Sequence, residues 1–263
     1  MRTLRRPLPL LLGCVAAAAL LVLSACSSAP AHIAEPGPSV GEGLNKPLPS
    51  SVARTLLISP DAGRLDLASL KGKIVVISDI MTLCQETCPL DTAEVLQAAR
   101  AVEKAGLGSK VEFLSATIDP RRDTVPQLAA FRKLYGKAPA DWKVVTGGVS
   151  QLAAFWSKLG VYVKKVPEDD KPVPRNWRTG VKLTYDLDHS DDVIFVDASG
   201  RERFALDGPP HVNHGAPIPA TLAKFMDADG EHNLTHPAAG AWSAAQELQV
   251  LSWLLDKHIP STG

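Results

Sequence analysis

The chain has 263 residues with 28 basic and 28 acidic side chains, 45% hydrophobic and 21% charged. That balance supports a packed core and excludes general disorder, and it offers no basic surplus for nucleic acid. About 240 residues beyond the N-terminal segment suit one domain with appendages, and no internal repeat is visible.

Residues 1–25 place Arg2, Arg5 and Arg6 before an apolar stretch from Leu8 to Leu23. The stretch is too short and Ala-rich for a comfortable transmembrane helix and reads as a signal peptide. It closes in Leu23-Ser24-Ala25-Cys26, which resembles the lipobox of bacterial lipoproteins. The resemblance implies cleavage before Cys26 and a diacylglyceryl thioether on its sulfur, with an uncleaved anchor as the alternative. Either way the remainder is expected on the extracytoplasmic face of the membrane. Removing the signal takes three arginines and leaves 25 basic against 28 acidic residues, a net charge of −3. Residues 26–50 are small and Pro-rich and read as a flexible tether. Of the chain's four cysteines, Cys14 leaves with the signal and Cys26 is lipidated, so only Cys84 and Cys88 stay thiols.

From residue 51 the pattern becomes that of a folded domain. "RTLLIS" and "GRLDLASL" flank the turn "PDAG" and predict a hairpin. "KIVVISDI" is a continuous β-branched run, as a strand covered on both faces should be. "PLDTAEVLQAARAVEKAG" predicts a helix with Pro89 in its first turn and Gly106 at its end. "KVEFLSATI" is the next buried strand, completing a β-α-β unit. Thr124 and Gln127 predict a capping box for a second helix, "PQLAAFRKLYG", which Gly136 stops. "WKVVTG" reads as a short strand, "SQLAAFWSKLG" as a helix, "VYVKKV" as a strand extension and "DVIFVDASGRERFAL" as an antiparallel hairpin. Together these give an α/β, thioredoxin-like fold over residues 51–206, with an N-terminal β-hairpin. Residues 207–263 form a loop and a C-terminal helical extension, with Ala244, Leu248, Leu251 and Leu255 on one apolar face.

In such a fold Cys84 and Cys88 sit at the start of the helix that follows the first strand of the β-α-β unit. Backbone N–H groups and the helix dipole there favour thiolate. A bridge between them would close too short a loop to stabilise the chain much, so a purely structural disulfide explains the pair poorly. Redox exchange and soft-metal binding both remain. Thioredoxin relatives keep a proline before the strand that faces the cysteines, whereas here "YDLDHSDD" puts His189 in that place. Two thiolates and one neutral imidazole make a soft, three-donor set that suits Cu(I), or Cu(II) with a weak fourth donor. A structural zinc site would want a fourth protein ligand.

C-x-x-x-C-P at Cys84–Pro89, "IDPRRDT" at 118–124 and "DHS" at 188–190, in this order, resemble the SCO/SenC family. The resemblance implies a membrane-tethered copper metallochaperone acting on the dinuclear copper site of cytochrome c oxidase subunit II. It assigns the metal ligands as Cys84, Cys88 and His189. It also implies as partners, beyond subunit II, another copper chaperone or a thioredoxin-like reductant. Gln85 stands where the family usually has proline, and Asp79 and Met81 stand in place of its aromatic-rich strand end. The alternative is a thiol–disulfide oxidoreductase that reduces the oxidase's copper-ligand cysteines. A peroxidase-type sensor lacks its proline and threonine, with Ile77 and Met81 at those positions.

Other residues carry two readings. Asp119, Arg121, Arg122 and Asp123 tune the site or dock a partner, or simply form a turn and a helix start. Met81 is a packing residue or a thioether donor. His211, His214, His232 and His236 form a loose cluster, read first as solvated loop histidines and second as a weaker metal patch. The loop "VPEDDKPVPRNWRTG" at 166–180 inserts before His189 without a readable role.

Overall fold

A computed structural model describes residues 32–212 and 218–261. The expected signal peptide 1–25 with Cys14, the expected lipid-attachment residue Cys26, and His214 lie outside the described residues. None of the described helices is long and apolar enough to cross a membrane.

The fold engages the chain well before residue 51. His32 Nδ1 lies 2.6 Å from Asp256 Oδ2, and the Ile33 N–H donates to the same carboxylate at 2.9 Å. β1 (Glu42–Pro47) then pairs antiparallel with the last strand of the main sheet, Glu42 opposite Ala205 and Pro47 opposite Arg201. The expected tether 26–50 is therefore held to the body over its described part. Composition hides this because β1 is an edge strand with almost every side chain exposed. Main-chain bonds and a 2.9 Å ion pair from Lys46 to buried Glu202 hold it, and no apolar alternation betrays it.

A short helix α1 (Ser50–Ala53) leads into the expected hairpin, β2 (Leu57–Ser59) and β3 (Gly63–Leu65), which forms its own two-stranded sheet. The β-α-β unit follows as β4 (Ile74–Ile80), α2 (Cys88–Lys104) and β5 (Val111–Thr117), with the two strands parallel neighbours. Every residue of β4 is buried. Its alternate side chains feed two cores, Ile74, Val76 and Ile80 on one face and Val75 and Ile77 on the other. Gly106, at φ 71°, takes the left-handed turn that ends α2.

Next come α3 (Val125–Leu134), β6 (Trp142–Val145) parallel to β5, and α4 (Val149–Leu159). The capping box expected at Thr124 does not form, as Thr124 makes no side-chain cap bond. Gln127 is drawn inward to Thr82 Oγ1, 3.2 Å away, so a buried polar network outcompetes the local cap. "VYVKKV" is no extension of the main sheet. β7 (Val163–Pro167) pairs with β8 (Tyr185–His189) as a separate antiparallel ribbon, Val163 opposite His189.

β9 (Asp192–Val196) and β10 (Arg201–Asp207) form the expected hairpin and complete a six-stranded sheet ordered β1-β10-β9-β4-β5-β6. The α/β thioredoxin-like expectation is met. The C-terminal region adds α5 (Ala220–Ala223), α6 (Ala228–Thr235) and α7 (Ala244–Leu255). Ala244, Leu248 and Leu251 of α7 are buried in the core beside α2, with Leu255 partly buried against it. The Ala244 N–H donates to Glu94 of α2 at 2.7 Å.

Candidate metal centre

β4 ends at Ile80, and the turn that follows brings Cys84 N–H to Met81 O at 3.1 Å. α2 begins at Cys88, with Pro89 in its first turn where no helical donor is lost. The Cys88 N–H donates to Cys84 Sγ at 3.4 Å. His189, the last residue of β8, places Nε2 3.8 Å from Cys88 Sγ. One ligand atom from each of Cys84, Cys88 and His189 lies within 4.8 Å of the other two. The three residues that the sequence singles out thus meet in space, and both cysteines are free thiols.

The opposite edge of the imidazole faces carboxylates. His189 Nδ1 lies 3.2 Å from Asp79 Oδ2 and 3.6 Å from Asp191 Oδ1, while Asp79 Oδ1 accepts the Asp192 N–H at 2.8 Å. Nδ1 also lies 3.0 Å from the Ser190 carbonyl oxygen, and a donor satisfied in this way leaves Nε2 turned to the sulfurs, the arrangement that orients metal-binding histidines. Burial opposes charge on the ring, yet Asp79 and the Cys84 thiolate outweigh it and push His189 up to about 12. The Cys88 thiol donating to Cys84 holds Cys84 well below the usual thiol range, against burial and with help from His189. Burial, then the neighbouring Cys84 sulfur, drives Cys88 well above that range. The pair is thereby split, with Cys84 favouring thiolate and Cys88 favouring thiol. The expected depression of a thiol is present, but the second cysteine and the histidine supply most of it, and the backbone N–H at the helix start the least.

The "IDPRRDT" stretch braces this arrangement. Buried Asp123 accepts from Thr82 N at 3.1 Å, from Thr117 Oγ1 at 2.6 Å and from Thr82 Oγ1, pinning the loop before Cys84 to the end of β5. Asp119 binds the Arg122 guanidinium and accepts the Tyr185 hydroxyl at 2.8 Å, while Arg122 donates to Tyr185 O at 2.6 Å. These bonds fix β8 and so His189. Asp119, Arg122 and Asp123 thus do more than form a turn and a helix start, since they tie the Cys84 loop and β8 in place, while Arg121 stays exposed. Met81 is buried with its sulfur 3.2 Å from Arg122, which fits packing. The 166–180 insertion also joins in, for Trp177 Nε1 donates to Thr82 O at 2.7 Å and Arg178 Nε to Gln127 at 2.7 Å.

A cavity of about 390 Å³ opens above Cys84 and His189. Its walls include Glu86, Glu168, Asp186, Asp191, Asp227 and Asp229, with no lysine or arginine. Burial pushes Glu86 and Asp191 up to about 7. A larger groove of about 570 Å³ between α4 and the β7–β8 ribbon holds neither thiol nor histidine. Sequence spacing missed Asp79, Asp191 and Glu86, because only the fold brings 79 and 191 to one ring. It also missed α6, whose Asp227 N–H donates to Gln85 O at 3.2 Å between the cysteines. Of the four histidines read as a cluster, His232 and His236 stack with ring centroids 4.5 Å apart. His211 is instead tied through its N–H to Trp242 O at 2.6 Å.

A family model described as SCO1/SenC matches residues 54–214, more than half of the chain. The chain belongs to the SCO1/SenC family. Among similar proteins, the SCO1 protein homolog of Bacillus subtilis (strain 168) is 27% identical over 134 residues, covering 51% of this chain and 68% of that one. The mitochondrial SCO2 homolog of Bos taurus is 26% identical over 145 residues, covering 52% of this chain and 49% of that one. The chain thus spans about half the length of that mitochondrial relative. Among solved structures, Bradyrhizobium japonicum ScoI with copper bound aligns over 70% of this chain and 99% of its own, at 22% identity and a TM-score of 0.48.

Proposed function

We propose that this SCO1/SenC protein is a lipid-anchored, extracytoplasmic copper carrier for the dinuclear copper site of cytochrome c oxidase subunit II. The observation that carries the reading is the convergence of Cys84, Cys88 and His189 donor atoms within 4.8 Å. Two sulfurs and one imidazole are a soft set that favours Cu(I), and a related structure is of copper-bound ScoI. Cys84 offers a thiolate at once, while Cys88 and His189 each give up a proton as the ion arrives. The Ser190 carbonyl, with Asp79 beside it, keeps Nδ1 engaged so that Nε2 remains the ligand. The acidic cavity above Cys84 favours the approach of a cation.

The split between a ready Cys84 thiolate and a buried, protonated Cys88 favours a second reading, thiol–disulfide reduction of the client. Cys84 would attack a client disulfide and release one client thiolate. Cys88, once deprotonated, would then attack Cys84, release the client as a dithiol and leave a Cys84–Cys88 disulfide for a thioredoxin-like reductant. Two measurements separate the readings. Copper-loaded protein is mixed with a soluble oxidase subunit II domain, and Cys88→Ser protein is used to trap mixed disulfides. Metal transfer without adducts is expected; adducts without transfer would reverse the order of the two readings.

The anchor rests on Leu23-Ser24-Ala25-Cys26. Mass spectrometry of membrane-extracted protein is expected to find a lipidated N-terminus at residue 26, abolished by Cys26→Ser. An intact Met1 in that material contradicts it.

A further inference from the structure

We infer that His232 and His236 form a second metal site, one that binds divalent transition-metal ions, Cu(II) foremost. His232 lies in the last turn of α6 and His236 is the residue that caps it. Positions four apart on a helix share a face, which is how helical histidine pairs chelate one ion. The rings do face each other, with centroids 4.5 Å apart and planes 5° from parallel. Side-chain rotation alone then brings one nitrogen of each to a common ion at the usual bond length of about 2 Å. Thr235 Oγ1 engages His236 Nδ1 at 2.9 Å and leaves Nε2 for the ion, while His232 has no ring hydrogen bond among the described residues.

Two imidazoles are harder than the Cys84 set, and affinity for divalent ions on such donors peaks at Cu(II). The placement is also specific. Gly230 presses α6 against the loop between the cysteines so closely that a Cβ there would collide with the Gln85 carbonyl. Asp229 itself lines the cavity above Cys84. An ion held by His232 and His236 thus sits on the helix that packs against the thiol loop, held by atoms other than those of the thiol site. This inference concerns α6 and stands whether Cys84 and Cys88 carry copper or exchange disulfides.

The test uses the full chain with Cys84 and Cys88 oxidised to a disulfide, which removes both thiolate donors, titrated with Cu(II). One equivalent is expected, with nitrogen hyperfine structure in its EPR spectrum and no sulfur-to-copper charge-transfer band. His232→Ala and His236→Ala should each weaken it by more than the roughly tenfold loss that follows removal of an outer-shell partner. His211→Ala should leave it unchanged. Zn(II) added to the unsubstituted oxidised protein should shift the imidazole proton resonances of His232 and His236, a readout that needs no variant to fold. Cu(II) binding that is unaltered by both alanine changes, or Zn(II) that leaves both resonances in place, overturns the inference.

Discussion

The Asp79 carboxylate holds two elements of the site at once. Oδ1 accepts the N–H of Asp192 on β9 and Oδ2 faces Nδ1 of His189 on β8. Removing its charge should loosen the ring, which the Ser190 carbonyl still meets at Nδ1, without removing a ligand. Asp79→Asn is therefore expected to lower Cu(I) affinity about 10–100-fold, the usual cost of losing an outer-shell partner. It should also lower the pKa of His189, since Asp79 raises it. Competition with a Cu(I) chelator and an NMR titration of the ring check the two effects, and an unchanged ring titration would free Asp79 of this role. The ligands themselves were legible in the sequence, since C-x-x-x-C-P and "DHS" are short motifs. Asp79 was visible only as an odd residue at a strand end, because no spacing rule relates residue 79 to residue 189.

At the scale of elements, the sequence was readable wherever burial is two-sided or periodic. β4 and β5 are buried throughout, and their β-branched runs announce it. α7 shows its apolar stripe for the same reason. β1 and α6 escaped because backbone bonds and close approach hold them, and neither leaves an apolar pattern. The capping box at Thr124 failed because Gln127 had a better-buried partner in Thr82. α6 also yields a prediction. Gly230→Ala forces α6 away from Gln85 or distorts the loop between the cysteines. A cost of about 1–3 kcal/mol is expected from such overpacking. Cys84 should then alkylate several-fold faster as the loop loosens. Alkylation kinetics followed by mass spectrometry check this, and an unchanged rate would mean that α6 does not restrain the loop.

At the scale of the molecule, folding stability carries the signature of many buried carboxyl groups. Burial raises Asp123 to about 6 and Glu86 and Asp191 to about 7, and holds Asp91 and Glu247 well above the usual range. Neither oxygen of Asp91 or Glu247 has a hydrogen-bond partner among the described residues. Such groups bind more protons folded than unfolded between about pH 4 and pH 7, so stability falls as pH rises through that window. The denaturation midpoint of the apo protein is expected to be higher at pH 5 than at pH 8. His189, raised to about 12, works in the same direction above pH 6.5. The lowered Cys84 works against it, since its thiolate contributes stability above its own folded pKa. Denaturant melts across this range check the trend, and a midpoint that climbs steadily from pH 5 to pH 8 would contradict it.

Metal loading reads the same groups from the other side. The pKa of Cys84 is lowered while those of Cys88 and His189 are raised, so Cu(I) uptake should release protons from the latter two and tighten as pH rises. The most direct measurement is Cu(I) titration of the reduced protein against a competing chelator, for the parent and for Cys84→Ala, Cys88→Ala and His189→Ala. One ion per chain is expected for the parent, with a sharp loss of affinity in every variant, because a three-donor site has no spare ligand. A His189→Ala protein that binds Cu(I) as tightly as the parent would contradict the account.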